Sequence, residues 1–208
     1  MFNSSRLSSP PEGIRLNEQH LEIERRFLVD GREEKPWRNG SQHSIIKQHY
    51  GIEAHVHLNK KRLEIEGGVL TILSEEELAL YIAVDDWAAR LRICDGTCIL
   101  TCKSRVSTSV ARELEWVVDE EVAHALLAKG PFPHVEKTRY MWKGEDGLLW
   151  EIDEFEGALA GLVLAEVELK RPDEAVAIPA WMGQEITGLA SWSNRSLAQT
   201  LAFTPEHS

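Results

Sequence analysis

The chain has 208 residues, 43% of them hydrophobic, and its 34 Asp and Glu against 23 Lys and Arg leave a formal net charge of −11. This composition is that of a globular chain long enough to bury a sizeable core, and it is too apolar for a disordered one. The acidic balance argues against a protein that coats nucleic acid or an anionic membrane, although a local basic cluster would still bind a small anion.

Residues 1–19 are rich in Ser, Pro, Gly and Asn and are predicted to be a flexible N-terminal tail. They hold no apolar run of a signal peptide, and no stretch approaches the ~18 apolar residues of a membrane span. Cys94, Cys98 and Cys102 are an odd set in one short stretch, which indicates reduced thiols. We therefore expect a cytoplasmic protein with one domain over residues 20–205.

Alternation of period two predicts most of the elements. The first is a strand over Leu21–Val29, and a second is expected over Ser44–Ile52. Residues 53–85 are expected to form an insertion, with one or two short strands over Ala54–Ile72 and then a helix that starts at a capping box, Ser74–Glu77. Later strands are predicted over Val110–Asp119, Val135–Trp142, Gly147–Gly157 and Leu162–Lys170, and helices over Glu120–Lys129 and Asn194–Phe203.

A hairpin is predicted where Asp95-Gly96 separates two alternating runs, Ala89–Cys94 and Thr97–Lys103. With a two-residue turn, Arg92 faces Ile99 and Arg90 faces Thr101, whereas a three-residue turn shifts this pairing. Hairpin connections predominate over βαβ crossovers throughout. The predicted fold is therefore α+β but mostly β, with an antiparallel sheet or barrel and flanking helices.

Like charges recur two residues apart on the predicted strands, whereas a solvated strand face is usually mixed in sign. The pairs are Glu22/Glu24, Arg90/Arg92, Glu113/Glu115, Lys137/Arg139, Glu151/Asp153 and Glu166/Glu168. The two members of such a pair repel each other unless opposite charge lies between them. Strands with acidic and basic faces turned toward a common interior would supply that opposite charge. Carboxylates suit Mg²⁺ or Mn²⁺, and Arg and Lys suit a chain of phosphates. The pattern by itself indicates an antiparallel β protein with an anion site.

Glu22-Ile23-Glu24-Arg25-Arg26 resembles the Glu-x-Glu-x-Lys start of the CYTH family, the triphosphate tunnel metalloenzymes. The resemblance extends over about residues 21–200, because further strings follow in the family's order. These are Ile46–Tyr50, Ala89–Ile93 with its Arg-x-Arg, Leu100–Lys103, Ala111–Glu115, Glu136–Tyr140, Trp150–Asp153, Leu164–Leu169, Trp181–Thr187 and Asn194. This ordered set is far more specific than any one of its members.

The resemblance implies a closed tunnel of eight antiparallel strands that binds triphosphate and a divalent metal, Mg²⁺ or Mn²⁺. It implies a catalytic centre at Glu22, Glu24 and Arg26. The implied metal or metal-water ligands are Glu22, Glu24, Glu113, Glu115, Asp153, Glu166 and Glu168, with Glu151 ranked below Asp153. The implied triphosphate contacts are Arg26, Arg90, Arg92, Lys103, Lys137, Arg139 and Tyr50.

Two features depart from the family pattern. Arg26 stands where the family has Lys and, with a pKa above about 12, it is a poor general base. Metal-bound hydroxide then does that work, or turnover is slower, or the substrate differs. The segment between Tyr50 and Arg90 is long, so Tyr81–Val84 is an alternative to Gln48 and Tyr50 as the Tyr-bearing strand. The insertion is expected to cover a tunnel mouth or to make a homodimer contact.

Three functions fit these residues. The first is a metal-dependent hydrolase that cleaves inorganic triphosphate to pyrophosphate and phosphate. The second is an adenylate cyclase or an organic triphosphate hydrolase on the same scaffold, which needs a base pocket that the sequence does not identify. The third is a non-catalytic module that binds triphosphate or polyphosphate, which stays open because Arg26 departs from the family pattern. The many inward carboxylates disfavour the third, since a pure anion binder gains nothing from them.

Overall fold

The computed structural model describes residues 20–32, 34–66 and 68–203. The predicted tail over residues 1–19 lies outside this part of the chain, so it stays a prediction, as does the division into tail and single domain. None of the described helices combines the length and the apolar character needed to cross a bilayer.

The described residues form twelve strands and three α-helices. The strands are β1 (Leu21–Val29), β2 (Gln42–Tyr50), β3 (His57–Asn59), β4 (Arg62–Ile65), β5 (Gly68–Ile72), β6 (Ala88–Cys94), β7 (Thr97–Arg105), β8 (Val110–Val118), β9 (His134–Lys143), β10 (Leu149–Phe155), β11 (Val163–Glu168) and β12 (Met182–Glu185). The helices are α1 (Glu75–Ala83), α2 (Glu120–Leu127) and α3 (Asn194–Phe203).

Eight of these strands close into an antiparallel barrel, as predicted. The ring runs β1-β8-β7-β6-β2-β9-β10-β11 and closes where β11 pairs with β1. The first residues of β1 pair with β8, and its last residues pair with β12, so β12 extends the wall beyond the end of β8. Closure leaves each barrel strand with an inner and an outer face.

The β6–β7 hairpin has the predicted two-residue turn. Asp95 and Gly96 have φ of 47° and 84°, the left-handed backbone of a type I′ turn, which Asp-Gly adopts readily. Arg90 therefore pairs with Thr101, and Arg92 pairs with Ile99. The charged residues of both strands consequently share the inner face.

The insertion contains more structure than the sequence indicated. β3, β4 and β5 form a separate three-stranded sheet where one or two strands were expected. The sequence signal was weak because Lys60, not a glycine, takes the positive φ of 57° between β3 and β4. α1 begins at the predicted capping box, in which Ser74 accepts from the Glu77 amide and Glu77 accepts from the Ser74 amide. Leu63 and Leu80 pack into one core with Leu100 of β7.

Several predicted bounds were wrong by two residues or more. β2 spans Gln42–Tyr50 and not Ser44–Ile52, because Gly51 turns the chain out of the strand with φ of 78°. α2 ends at Leu127. Tyr81 lies on α1, so the alternative that made Tyr81–Val84 a strand was wrong. Of the two alternatives, Tyr50 is the one that lies on a barrel strand, β2.

Apolar side chains on the outer barrel face hold the flanking segments. Trp150 of β10 is fully buried and packs on Phe27 of β1 with ring centroids 5.6 Å apart. Trp37 is fully buried as well and donates from Nε1 to Glu154 at 2.9 Å. Burying such side chains outside the ring leaves its inner face to the charged residues.

Candidate functional site

The barrel interior is divided into an acidic arc and a basic arc, each made of four neighbouring strands. β8, β1, β11 and β10 adjoin one another and carry the carboxylates of Glu22, Glu24, Glu113, Glu115, Glu151, Asp153, Glu166 and Glu168. β7, β6, β2 and β9 complete the ring and carry Tyr50, Arg90, Arg92, Lys103, Lys137 and Arg139. The two walls predicted from like-charge pairs therefore lie opposite each other.

Lys103 connects the two arcs on one side. Its Nζ forms an ion pair with Glu22 and lies 3.6 Å from Glu113 Oε2 and 3.8 Å from Glu24 Oε2. Burial opposes the charge of this ammonium, but Glu24 and Glu22 outweigh it and raise the pKa of Lys103. One internal cation thus serves three carboxylates.

Arg26 lies within the acidic arc. Its Nε is 2.7 Å from Glu166 Oε1, and its Nη2 donates to Glu24 Oε1 at 3.0 Å. Nη1 donates to the Trp192 carbonyl at 3.4 Å. Burial works against the charge, yet Glu166 and Glu24 raise the pKa of Arg26 further above its ordinary value. Arg26 therefore stays a cation and takes no proton from water.

A buried cluster joins β9 to β10. The Lys137 and Asp153 side chains are almost fully enclosed, and Nζ donates to Asp153 Oδ2 at 2.5 Å. Arg139 donates to both oxygens of Asp153 at 2.7 Å and also pairs with Glu151. Although burial opposes ionisation, Arg139 and Lys137 hold the pKa of Asp153 well below its usual range. Burial and Arg139 lower the pKa of Lys137 to about 8.

Arg90 and Arg92, the basic pair on β6, lie across β7 from Glu115 of β8. Arg92 Nη2 donates to Glu115 Oε1 at 3.3 Å, and Thr101 Oγ1 donates to the same oxygen at 2.7 Å. Arg90 Nη2 lies 3.7 Å from Glu113 Oε1. Burial and then Arg90 lower the pKa of Arg92, since the two guanidinium groups share one wall. Like charges held this close favour a polyanion between them.

Part of the acidic arc lacks enough cations. Burial and the like charges of Glu22, Glu151 and Glu24 raise the pKa of Glu168. Burial also raises the pKa of Glu22, with Glu113 adding to the effect against the pull of Lys103. The Oε2 atoms of Glu22 and Glu113 are enclosed and accept no well-formed hydrogen bond, although Lys103 is near both.

A hard divalent cation fits these donors, because it takes carboxylate oxygens and relieves their mutual repulsion. Over residues 20–32, 34–66 and 68–203, no three acidic, imidazole or thiol groups are already gathered as metal ligands. Several of the carboxylates are turned toward basic partners instead. Asp153, with both oxygens held by Lys137 and Arg139, is the most fully engaged, so its predicted role as a ligand stays a prediction.

Two cavities open from this interior, and Glu22 lines both. The first has a volume of about 310 Å³ and includes Glu24, Arg26, Tyr50, Arg90 and Lys103 among its walls. The second, also about 310 Å³, is acidic and is lined by Glu113, Glu115 and Glu168. Glu77 of α1 lines it too and accepts from Trp116 Nε1 at 2.7 Å, so the insertion borders this mouth.

Sequence reasoning missed several residues at the first cavity. They are Asp86, Arg105, Ser107, Thr108, Ser109, Ser193, Asn194 and Arg195. Asn194 was recognised as part of the C-terminal motif but was given no role. Strand alternation assigns faces only within predicted strands, whereas these residues come from loops, from the start of α3 and, for Arg105, from the end of β7 beyond its predicted bound. A non-local contact, from Arg26 to the Trp192 carbonyl, places the start of α3 at the cavity.

Comparisons with known proteins agree with this geometry. An inorganic triphosphatase of Acetivibrio thermocellus is 38% identical over 125 residues, which are 57% of this chain and 77% of that protein. One of Nitrosomonas europaea is 36% identical over 124 residues, 59% of this chain and 82% of that protein. A crystal structure of an inorganic triphosphatase matches with a TM-score of 0.51 and 29% identity over 85% of this chain and 93% of its own. No protein-family model matches.

The fold and the site define a closed antiparallel β-tunnel whose interior sets carboxylates against guanidinium and ammonium groups. Such an interior suits a polyanion together with a metal ion. With more than a third of the residues identical over most of the length of both named relatives, the chain belongs to the CYTH family of triphosphate tunnel metalloenzymes.

Proposed function

We propose that this protein hydrolyses inorganic triphosphate to pyrophosphate and phosphate and that it requires a divalent metal, Mg²⁺ or Mn²⁺. One observation carries the proposal: the acidic and basic arcs face each other across one tunnel, in a chain similar to two inorganic triphosphatases. A polyanion fits the basic arc, and a metal fits the acidic arc.

The basic arc is proposed to bind and orient the triphosphate. Arg90 and Arg92 on β6 can each leave a carboxylate for a phosphate oxygen, because their ion pairs of 3.3 Å or more to Glu113 and Glu115 are loose. Lys103 on β7 is held closely by Glu22 and is proposed to contact phosphate while that pair stays in place. Arg binds two phosphate oxygens at once, which orients the chain as well as holding it. Tyr50 lies beside Arg90 at the end of this wall. Positioning of this kind supplies much of the catalysis in phosphoryl transfer.

Lys137 and Arg139 have a different proposed task. Asp153 fixes both of them, so the partly exposed Arg139 is proposed to contact phosphate at low conformational cost. The enclosed Lys137 is proposed to add positive charge behind it. Arg26 is proposed to contact phosphate in the same way while Glu166 and Glu24 hold it in place. These carboxylates neutralise the wall until substrate arrives.

Glu22, Glu24, Glu113 and Glu168 are proposed to hold the metal, with Glu115, Asp153 and Glu166 as further ligands, directly or through water. When bound, a divalent metal neutralises phosphate charge and lowers the pKa of a water molecule.

The insertion is proposed to cover the acidic mouth, since Glu77 lines it. A homodimer contact through the insertion is the alternative, and the oligomeric state of the purified protein tests it.

Phosphate release from inorganic triphosphate, pyrophosphate, ATP and thiamine triphosphate, with Mg²⁺, Mn²⁺ or EDTA, tests the proposal. We expect metal-dependent release from inorganic triphosphate and none in EDTA. The double variant Glu22→Gln/Glu24→Gln should lose it, and the exposed control Glu76→Gln/Glu121→Gln should keep it.

Two other results would contradict the proposal. Pyrophosphate formed from ATP without phosphate would indicate cyclase chemistry, so both products are measured. Tight triphosphate binding with no turnover under any condition would indicate a binding module.

A further inference from the structure

Asn194, the first residue of α3, has a buried polar atom without a partner. The residue is 7% exposed, and its Oδ1 accepts no hydrogen bond from any described residue. An enclosed acceptor left unsatisfied destabilises the folded state. Asn194 also lines the first cavity together with Glu22, Glu24, Arg26 and Lys103. The unpaired atom therefore belongs to a side chain that borders the tunnel contents.

Contacts on both sides fix the position of this residue. Two positions earlier, the Trp192 carbonyl accepts from Arg26 Nη1 at 3.4 Å. One position later, Arg195 Nη1 lies 2.8 Å from Glu53 Oε1, which ties α3 to the start of the insertion. Ser193 Oγ accepts from the Ser196 amide at 3.1 Å and caps the helix. Asn194 is thus held beside Arg26 whether or not its own side chain has a partner.

The partner of Asn194 Oδ1 must be a hydrogen-bond donor, and the contents of the cavity narrow down which donor it is. An ionised phosphate chain offers acceptors only. Among the cations that line the cavity, Arg26 has Glu24 and Glu166, Lys103 has Glu22, Arg195 has Glu53 and Arg90 has Glu113. A water molecule in the cavity is a donor that remains. Because Arg26 cannot act as a base, an attacking water here also needs a separate acceptor to orient it.

We propose that the Asn194 side-chain carbonyl orients the water that attacks the terminal phosphorus of the triphosphate. This inference rests on the proposed function. A neutral amide positions the water without taking its proton, as a glutamine does in some phosphoryl-transfer enzymes. The water oxygen forms the new P–O bond, and the bridging P–O bond breaks with its electron pair staying on pyrophosphate. One water proton remains on the new phosphate, and the other passes to a pyrophosphate oxygen.

Two variants at this position separate the proposed role from a structural one. Asn194→Leu removes the acceptor at similar size, and we expect kcat to fall about 100-fold, the usual effect of misplacing a reacting group. KM and the triphosphate affinity measured in EDTA should change less than about twofold, since no phosphate contact is lost. The melting temperature should hold or rise, because a buried unpaired atom is removed.

Asn194→Asp keeps an acceptor oxygen, so its kcat should exceed that of the Leu variant, with a new limb in the pH profile from the carboxylate. Ser196→Ala is the matched control in the same helical turn, and it should lower the melting temperature slightly while leaving kcat and KM in place.

Three outcomes would overturn the inference. One is an Asn194→Leu enzyme with the kcat of the wild type, which leaves the proposed function standing. Another is a raised KM with unchanged kcat in both variants, which makes the amide a phosphate donor. The third is a wild-type protein that binds triphosphate without hydrolysing it, which removes the proposed function as well.

Discussion

Arg26 of β1 and Glu166 of β11 are direct partners across the seam that closes the barrel, and Arg26 Nε lies 2.7 Å from Glu166 Oε1. Although burial opposes ionisation, Arg26 lowers the pKa of this carboxylate to about 2. The arginine that replaces the family lysine therefore has a fixed place between two carboxylates and a main-chain carbonyl.

We expect Arg26→Lys to be a slower enzyme and not a faster one. An ammonium is a single point charge and cannot contact Glu24, Glu166 and the Trp192 carbonyl as the guanidinium does. The kcat/KM for triphosphate should fall about tenfold, which corresponds to about 1.4 kcal/mol. Steady-state phosphate release measures it, and Arg25→Lys, whose pair with Glu185 lies outside the tunnel, is the control. A variant faster than the wild type would mean that Arg26 is a handicap.

Asp153→Asn should destabilise the fold strongly. Lys137 is completely enclosed, and this change removes its ion-pair partner, while Arg139 keeps Glu151. Breaking a buried pair by removing one member costs about 3–5 kcal/mol. Urea unfolding measures the loss, and Asp173→Asn, whose side chain is 83% exposed, should change stability by less than about 1 kcal/mol. Equal effects of the two changes would contradict this account of the cluster.

Lys103→Met should make the metal-free protein less stable and more responsive to metal. Without the ammonium, Glu22, Glu24 and Glu113 face one another with less positive charge between them. Unfolding in EDTA should become easier by about 1–3 kcal/mol. Added Mg²⁺ should then raise the melting temperature more than in the wild type, because a bound cation stabilises the folded state.

The control for this change is Lys47→Met, which removes an exposed pair with Glu136. Its metal response should equal that of the wild type. If Mg²⁺ shifted the Lys103→Met protein no more than the wild type, the carboxylates around Lys103 would not be where the metal binds.

Glu168→Gln should stabilise the metal-free protein at neutral pH. Burial and neighbouring carboxylates raise the folded-state pKa of Glu168 above its unfolded value of about 4.3. The protonated Glu168 therefore makes its full contribution to the free energy of unfolding below about pH 4.3, and this contribution is lost as the pH rises through the folded-state pKa. Removing the charge should raise the melting temperature at pH 7 in EDTA. The gain in the free energy of unfolding should be less than about 1 kcal/mol, because the side chain is exposed.

Glu185→Gln is the control of opposite sign. Arg25 donates to Glu185 and lowers its pKa. The carboxylate of Glu185 therefore stabilises the fold above its unfolded-state pKa, and this stabilisation is lost as the pH falls through the folded-state pKa. This variant should melt lower than the wild type at pH 7 and match it in acid. Melting curves from pH 3 to 8 compare the two, and destabilisation by both changes at pH 7 would contradict the excess negative charge assigned to Glu168.

The sequence predicted those parts of the fold that depend on interactions between residues close together in the chain. Period-two alternation in β1, β6, β7 and β8 assigned the like-charge pairs of these strands to a common face, because side chains alternate along any strand. Asp95-Gly96 determined the register of β6 on β7, because that dipeptide adopts the left-handed turn readily. The chain order of charged pairs indicated the family and the closed barrel. Predicted bounds shifted by about two residues at several element ends, as at the start of β2 and the end of β7, because alternation alone does not mark where inter-strand pairing stops.

The tertiary structure alone decided which opposite charges meet. β1 lies between β8 and β11, which are far from it in sequence, so the pairing of Arg26 with Glu166 and of Lys103 with Glu22 depends on ring closure. The pKa shifts follow from this, since they depend on burial and on distances between side chains from different strands. Asn194 shows the same limit. Its type and position were visible in the sequence, but its unpaired oxygen exists only because α3 is held against Arg26.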